Sequence, residues 1–304
     1  MISTRGKCVI LVFTGLVLSS NICCVLASTA SEIIDDDDVN LNHIENVQDY
    51  LINGTFSDED EFPDMGSVRI VGGEYAQLNQ FPFMAIVHQL MGKGVISKCG
   101  GSIISSRWVL TAGHCMGSKP RLVVFGVNDK TGIGYNFYRG PGIAMWNEQG
   151  VLHPGYSKTV NDIALLYMPQ NIPFGENIQP IRLAGFNHGT FAGWRSAVIG
   201  WGVDGPTGSG TDSLKYAVLS IISNYACSTY WSITEKHICT AIQNQEACRG
   251  DSGGPLVVYI DGMPLQIGIV SYGDGACPSG RPGVFTRVSA FADWIAHNTG
   301  LYFY

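Results

Sequence analysis

The sequence predicts an all-β fold, a sandwich or a barrel, and three observations carry that expectation. The 304 residues include 38 glycines and only 14% charged residues, a composition that suits many turns better than a helical protein. Short apolar runs recur between Gly, Pro, Asn and Asp at 83–89, 102–104, 108–111, 122–125, 163–167, 196–199, 255–260 and 265–271. Runs of about four to eight residues punctuated in this way read as strands joined by turns. Apolar residues at helical spacing are evident at 290–298, which reads as a short terminal helix.

The chain opens with Arg5 and Lys7, then an apolar run from residue 8 to about 27, then Ala27, Ser28, Thr29 and Ala30. That is the layout of a secretory signal peptide covering 1–27, with its end between 27 and 30, and it implies a secreted, extracellular product. An uncleaved membrane anchor is the rival, because the run is nearly long enough to span a bilayer. The interrupting Ser, Asn and Thr and the small-residue exit favour cleavage. No other run is long enough to span, so no membrane partner is expected.

Residues 28–69 read as an acidic propeptide. Residues 1–69 hold twelve acids and three Lys/Arg, net −9, whereas residues 70–304 are net +2. A segment rich in acids, without cysteine and with few core-forming residues is expected to be disordered or loosely docked. The acidic run at 35–38 reads as a solvated spacer, and Asn53-Gly54-Thr55 is the chain's one glycosylation sequon. The near-neutral body lacks the clustered basic residues that nucleic-acid binding uses. Its glycine-rich stretches also lack the GxxxxGK[ST] pattern that cradles phosphates.

Of nine cysteines, Cys8, Cys23 and Cys24 fall in the leader. The remaining six, Cys99, Cys115, Cys227, Cys239, Cys248 and Cys277, form an even set suited to an oxidising compartment, with about fifteen possible pairings. A zinc site competes weakly, since no CxxC or HExxH spacing occurs.

Three short stretches carry chemistry: Leu110-Thr111-Ala112-Gly113-His114-Cys115, Asn161-Asp162-Ile163-Ala164-Leu165-Leu166 and Gly250-Asp251-Ser252-Gly253-Gly254-Pro255. A serine hydroxyl is a poor nucleophile near neutral pH and needs a neighbouring base. Histidine takes and returns a proton in that range, and a carboxylate holds its tautomer. In this order, within a cysteine-bearing β body, the three stretches resemble the trypsin/chymotrypsin family over essentially all of 70–304.

The resemblance implies two six-stranded antiparallel β-barrels, with the site between them and a short C-terminal helix. It implies Ser252 as nucleophile, His114 as general base and acid, Asp162 as orienting carboxylate, and the N–H groups of Gly250 and Ser252 as the oxyanion hole. It selects the disulfides Cys99–Cys115, Cys227–Cys239 and Cys248–Cys277. Arg69-Ile70-Val71-Gly72-Gly73 resembles the activation site: cutting after Arg69 frees an amine on Ile70 that pairs with Asp251. Where family members commonly have Ala, Gly113 stands here, and slightly looser packing is expected.

The same resemblance places Glu246 on the floor of the primary pocket, with Ser271, Gly273 and Gly283 around it. A carboxylate floor favours Arg or Lys, although trypsins have Asp there and the extra methylene makes the pocket shallower. Chymotrypsin-like or relaxed specificity is the alternative, with Glu246 turned aside or partnered. Arg249 at the mouth is either that partner, a repelling charge or a solvated rim residue. No metal or other cofactor is expected, because the segment 124–138 offers only Asp129 and Pro282 stands where sodium-activated relatives have Tyr.

The implied partners are protein and peptide substrates, an activating trypsin-like protease or the enzyme itself, and serpin-type or other protein inhibitors, with a monomeric body. A catalytically silent homologue acting as a binding cofactor is disfavoured because Ser, His and Asp are all present. An esterase with a GxSxG elbow is disfavoured because its chain order is Ser, Asp, His.

Overall fold

The computed structural model describes residues 73–93, 95–134, 137–203, 205 and 210–303. The leader, the acidic propeptide, Asn53, Arg69 and Ile70 lie outside the described residues. The first part of the body carries β1 (Glu74–Tyr75), β2 (Met84–Gly92), β3 (Val95–Ile103), β4 (Trp108–Thr111), β5 (Arg121–Phe125), β6 (Ile143–Asn147), β7 (Gln149–Leu152) and β8 (Ala164–Tyr167). The second part carries β9 (Arg182–Leu183), β10 (Arg195–Gly200), β11 (Lys215–Ile222), helix α1 (Asn224–Cys227), β12 (His237–Thr240), β13 (Pro255–Ile260), β14 (Met263–Tyr272), β15 (Val284–Arg287) and helix α2 (Ala292–Thr299).

Strands β11, β10, β13, β14, β15 and β12 form an antiparallel ring that the β11–β12 pairing closes. Closure leaves no free edge within the six. Strand β1 pairs antiparallel with β11, and β9 runs parallel to β14. The other sheet follows the order β6-β5-β2-β3-β4-β8-β7, a half-barrel of seven strands. Only Glu148 separates its two end strands, so one stretch of chain pairs first with β5 and then with β8. The all-β expectation holds, with one barrel closed by hydrogen bonds and the other joined at its seam through the backbone.

Asn147 shows how that seam is held. It is fully buried; its side-chain oxygen accepts from Arg121 on β5, and its amide donates to the carbonyls of Gln149 and Tyr167. Elsewhere the usual apolar filling operates. Ile103, Val109, Leu110, Leu165 and Leu166 are fully buried in one sheet, and Val198, Leu219, Leu256 and Val258 in the other. Each such side chain stabilises by about 1.5–3 kcal/mol when removed from water. A buried polar link joins the sheets: Ser102 on β3 donates to Gln266 Oε1 on β14 at 2.6 Å. Gln266 in turn donates to the Gly268 carbonyl, so neither group is left unsatisfied.

The terminal helix begins two residues later than its periodicity suggests, because Val288–Phe291 forms a 3-10 turn leading into it. Disulfides join Cys99 to Cys115, Cys227 to Cys239 and Cys248 to Cys277.

Candidate active site

His114 lies in the 3-10 turn Gly113–Cys115, immediately after β4. The disulfide from Cys115 to Cys99 on β3 fastens that turn to the sheet. Asp162 precedes β8 and is 1% exposed. The residue before it, Asn161, adopts φ 49, the left-handed region that Asn tolerates better than most side chains. Its side chain donates to the Gly155 carbonyl at 2.8 Å and accepts from Lys236 Nζ at 2.9 Å, which pins the bend.

Both oxygens of the Asp162 carboxylate are engaged. Oδ1 accepts from the His114 backbone N–H at 2.8 Å, and Oδ2 meets His114 Nδ1 at 2.8 Å. Ser271 Oγ donates to Oδ2 at 2.5 Å, and Thr286 Oγ1 donates to the Asp162 carbonyl at 2.8 Å. An ionised carboxylate can only accept, so the Nδ1 proton belongs to the ring and the Nε2 lone pair is left outward. Three elements (the β4 turn, β14 and β15) therefore converge on one acid.

The space beside Gly113 is filled, which corrects the expectation of looser packing. A Cβ there would fall 2.8 Å from Tyr156 Cδ2 and 3.1 Å from Asp162 Oδ1. The missing methyl is matched by the Tyr156 ring.

Ser252 precedes β13 on a loop with two left-handed glycines, Gly250 at φ 102 and Gly253 at φ 80. A Cβ on Gly253 would lie 2.6 Å from the Gly100 carbonyl oxygen, so the loop reaches the opposing sheet only as glycine. The Ser252 carbonyl accepts from Gly100 N–H at 2.8 Å, and Cys115 Sγ lies 3.6 Å from the same oxygen. Cys115 is in a disulfide and has no S–H to give, so this is a contact rather than a hydrogen bond. These contacts seat the Ser252 backbone against the strand and the disulfide that flank His114.

Asp251 is as buried as Asp162 but is bonded differently. Its oxygens accept only backbone N–H groups among the described residues, from Gly202 at 2.7 Å and Cys248 at 2.9 Å. Burial pushes its carboxyl up to about 6, against the pull of those two amides and of Lys130.

A cavity of about 260 Å³ opens beside Ser252, lined by Glu246, Arg249, Ser271, Gly273, Asp274 and Gly283 among others. A larger cavity, about 630 Å³, lies against His188, Asn224, Thr234 and Arg287, away from the serine. The smaller one is the candidate because it holds Ser252. Gly273 presents open space, whereas a Cβ on Gly283 would meet Thr240 Oγ1 at 3.0 Å. Ser271 lines the cavity, but its hydroxyl is given to Asp162. Arg249 is exposed at the mouth, and Glu246 is bonded by Ser279 instead. Burial raises the Glu246 carboxyl, the Ser279 bonds lower it and the Asp274 charge raises it further.

Sequence reading missed Ser279, Asp274, Thr286 and Tyr156. A signal existed for Ser279: it follows Cys277 by two residues and Glu246 precedes Cys248 by two, so the implied disulfide brings them together.

Two β-barrel-like sheets meeting at a His114 ring held by the buried Asp162, with a glycine-flanked serine against them, define the serine-protease fold class. The trypsin family model matches residues 70–295, and the chain belongs to that family. Serine protease 1 of Drosophila melanogaster is 35% identical over 238 residues, covering 77% of this chain and 86% of that one. Venom serine protease Bi-VSP of Bombus ignitus is 33% identical over 249 residues, covering 76% and 69%. Phenoloxidase-activating factor 3 of Holotrichia diomphalia is 33% identical over 270 residues, covering 81% and 77%. The solved structure of HL collagenase superposes with a TM-score of 0.67 at 32% identity, over 76% of this chain and 99% of that one. No helix among the described residues is long and apolar enough to cross a membrane.

Proposed function

We propose that the chain is the precursor of a secreted serine endopeptidase, activated by cleavage between Arg69 and Ile70 and cutting after basic residues. One observation carries the reading: Asp162, buried, grips both the backbone and the ring of His114 beside the Ser252 loop. In the proposed reaction, Ser252 Oγ attacks the substrate carbonyl while His114 Nε2 takes the hydroxyl proton. The oxygen that becomes negative accepts from Gly250 and Ser252 N–H, where one donor contributes roughly 3–4 kcal/mol. The imidazolium returns its proton to the leaving amine, and water then hydrolyses the acyl-serine by the same relay.

The activation step draws support from topology. In the sheet order β1-β11-β10, two strand spacings of roughly 5 Å separate β1 from β10. Gly200 ends β10, and Gly202 donates to Asp251. The four residues from Ile70 to Gly73 span up to about 14 Å, enough for a freed amine to reach Asp251. A buried carboxylate without a cation is costly and one with a docked ammonium much less so, which is why cleavage would order the Ser252 loop.

Glu246 and Asp274 at the cavity support a cationic substrate side chain. An activator that cuts after Arg69 is itself a protease of basic specificity, and the printed name of the Holotrichia relative, an activating factor, is in keeping with such cascades. Substrates are proteins and peptides, inhibitors are of serpin or similar type, and the body acts as a monomer outside the cell. The test is to cleave at Arg69 with trypsin, remove it, and assay a panel of peptides alongside Ser252→Ala. Cleavage after Lys or Arg that Ser252→Ala abolishes is expected. A cleaved chain with no hydrolysis and no fluorophosphonate labelling would make it a binding homologue.

A further inference from the structure

The floor of the cavity is held by a residue that no motif marks. Ser279 donates its backbone N–H to Glu246 Oε1 at 2.7 Å and its hydroxyl to Glu246 Oε2 at 3.0 Å. The hydroxyl has a second acceptor within range, the Arg281 carbonyl at 3.2 Å, but the charged and nearer carboxylate is the stronger one. Arg281 N–H donates back to Ser279 Oγ at 3.3 Å, fixing its position. Glu246 is 8% exposed, so its two oxygens have few other partners to choose from.

We propose that Ser279 is a specificity-determining residue that makes this a lysine-selecting pocket. The inference rests on the basic specificity proposed above and sharpens it. A guanidinium binds a carboxylate best as a fork, two parallel N–H groups on two oxygens. Ser279 already holds both oxygens of Glu246 at once, from one residue, in the manner of a fork. An ammonium is a compact point charge with three rotatable donors and needs only one free lone pair. Lysine can therefore use what Ser279 leaves over, and arginine loses its paired contact.

Depth acts in the same direction. Glu carries its charge one methylene higher than Asp would, and the arginine side chain is the longer of the two bases. Asp274 supplies a second negative charge on the wall, yet it is shared with Arg281, whose Nε lies 3.6 Å from it. Arg281 is in turn seated over the Trp231 ring at 5.2 Å. A cation entering the cavity meets one carboxylate bound by Ser279 and one bound by Arg281, a site for a single charge rather than for a planar group.

The experiment compares kcat/KM for peptides that differ only in Lys or Arg before the scissile bond, using the full-length chain cleaved at Arg69. The wild type is expected to prefer Lys by at least about fivefold. Ser279→Ala, which keeps the N–H but frees Oε2, should bring the ratio to within about twofold by raising turnover of the Arg peptide. Ser279→Thr, which keeps both donors, should retain the wild-type ratio. Glu246→Asp should also move the ratio toward Arg, and it carries the test if Ser279→Ala does not fold. Preference for Arg in the wild type, or a ratio unmoved in folded Ser279→Ala, would overturn the proposal. Cleavage only after Phe, Tyr or Leu, with Ser252 still labelled, would instead remove the basic specificity on which it stands.

Discussion

Asp162 and Asp251 are each 1% exposed, the first bonded to His114 and the second adjacent to Ser252. Their surroundings differ in kind. Asp162 meets an imidazole, a serine hydroxyl and a backbone N–H, so its charge has a partner that can become cationic. Asp251 meets two backbone amides, and the charge of Lys130 reaches it indirectly: Lys130 Nζ donates to the Trp201 carbonyl at 3.0 Å, on the same peptide whose Gly202 N–H holds Asp251. Under the proposed activation, the contrast is what would keep the precursor quiet. On the proposed reading, the acid–base half is built by folding alone, while the burial of Asp251 is offset only in part by two amides and Lys130 until a freed amine arrives.

The strongest way to break this comparison is to spoil the complete half. Asp162→Asn keeps the shape but offers an amide where His114 Nδ1–H needs an acceptor, so the ring turns to the wrong tautomer. A fall in kcat of about 10⁴-fold with little change in KM is expected, measured after cleavage at Arg69. A loss under tenfold would mean that the His114–Asp162 pair is structural.

Next in size is Asp251→Asn, which removes the anion from the incomplete half. It should cost the cleaved protein about 10²–10³-fold in kcat/KM, because a docked ammonium would face no charge. Active-site titration before and after cleavage checks it, since the uncleaved variant should match the uncleaved wild type.

The same residue predicts pH responses of the same sign but in different pH windows for the two forms. In the uncleaved chain the folded pKa, about 6, lies above the unfolded value of about 3.9, so the folded state takes up the proton more readily. The penalty from Asp251 is full above about 6 and fades as the pH falls through 6 toward 4. The Tm gap between wild type and Asp251→Asn should therefore narrow on acidification. In the cleaved form the proposed partner is the Ile70 amine, with an ordinary pKa near 8 that docking would raise. Its stabilisation is complete below about 8 and is lost as the pH rises through the raised value, so activity should decline on the alkaline side.

The smallest expected effect sharpens the picture of the complete half. Gly113→Ala should destabilise by about 1–2 kcal/mol, because the new Cβ would overlap Tyr156. Thermal unfolding would check it, and a neutral or stabilising result would mean that Tyr156 moves freely.

Much of this was legible in the residues, for physical reasons that can be traced. Strands such as β4, β10 and β13 bury apolar side chains over their length, and their sequences read as short apolar runs. The seam strand β6 reads poorly because it inverts that rule: Ile143 and Trp146 are exposed at 37% and 41%, while Asn147 is fully buried. No apolar pattern can announce an asparagine whose role is to tie three strands together. At the site, the local stretches around His114, Asp162 and Ser252 are dense in chemistry and stand out. Thr286, Tyr156 and Ser279 act through distances created only by folding, and each is an ordinary residue in its own neighbourhood.

The proposed difference between a complete acid–base pair and a serine loop that awaits an amine is tested most directly by one rate. Fluorophosphonate labelling of Ser252 should be timed on the intact chain and on the same sample after cleavage at Arg69. At least a hundredfold faster labelling after cleavage is predicted, with none in Ser252→Ala. Equal rates before and after would mean that no amine completes the Asp251 loop, and the central contrast between the two aspartates would be wrong.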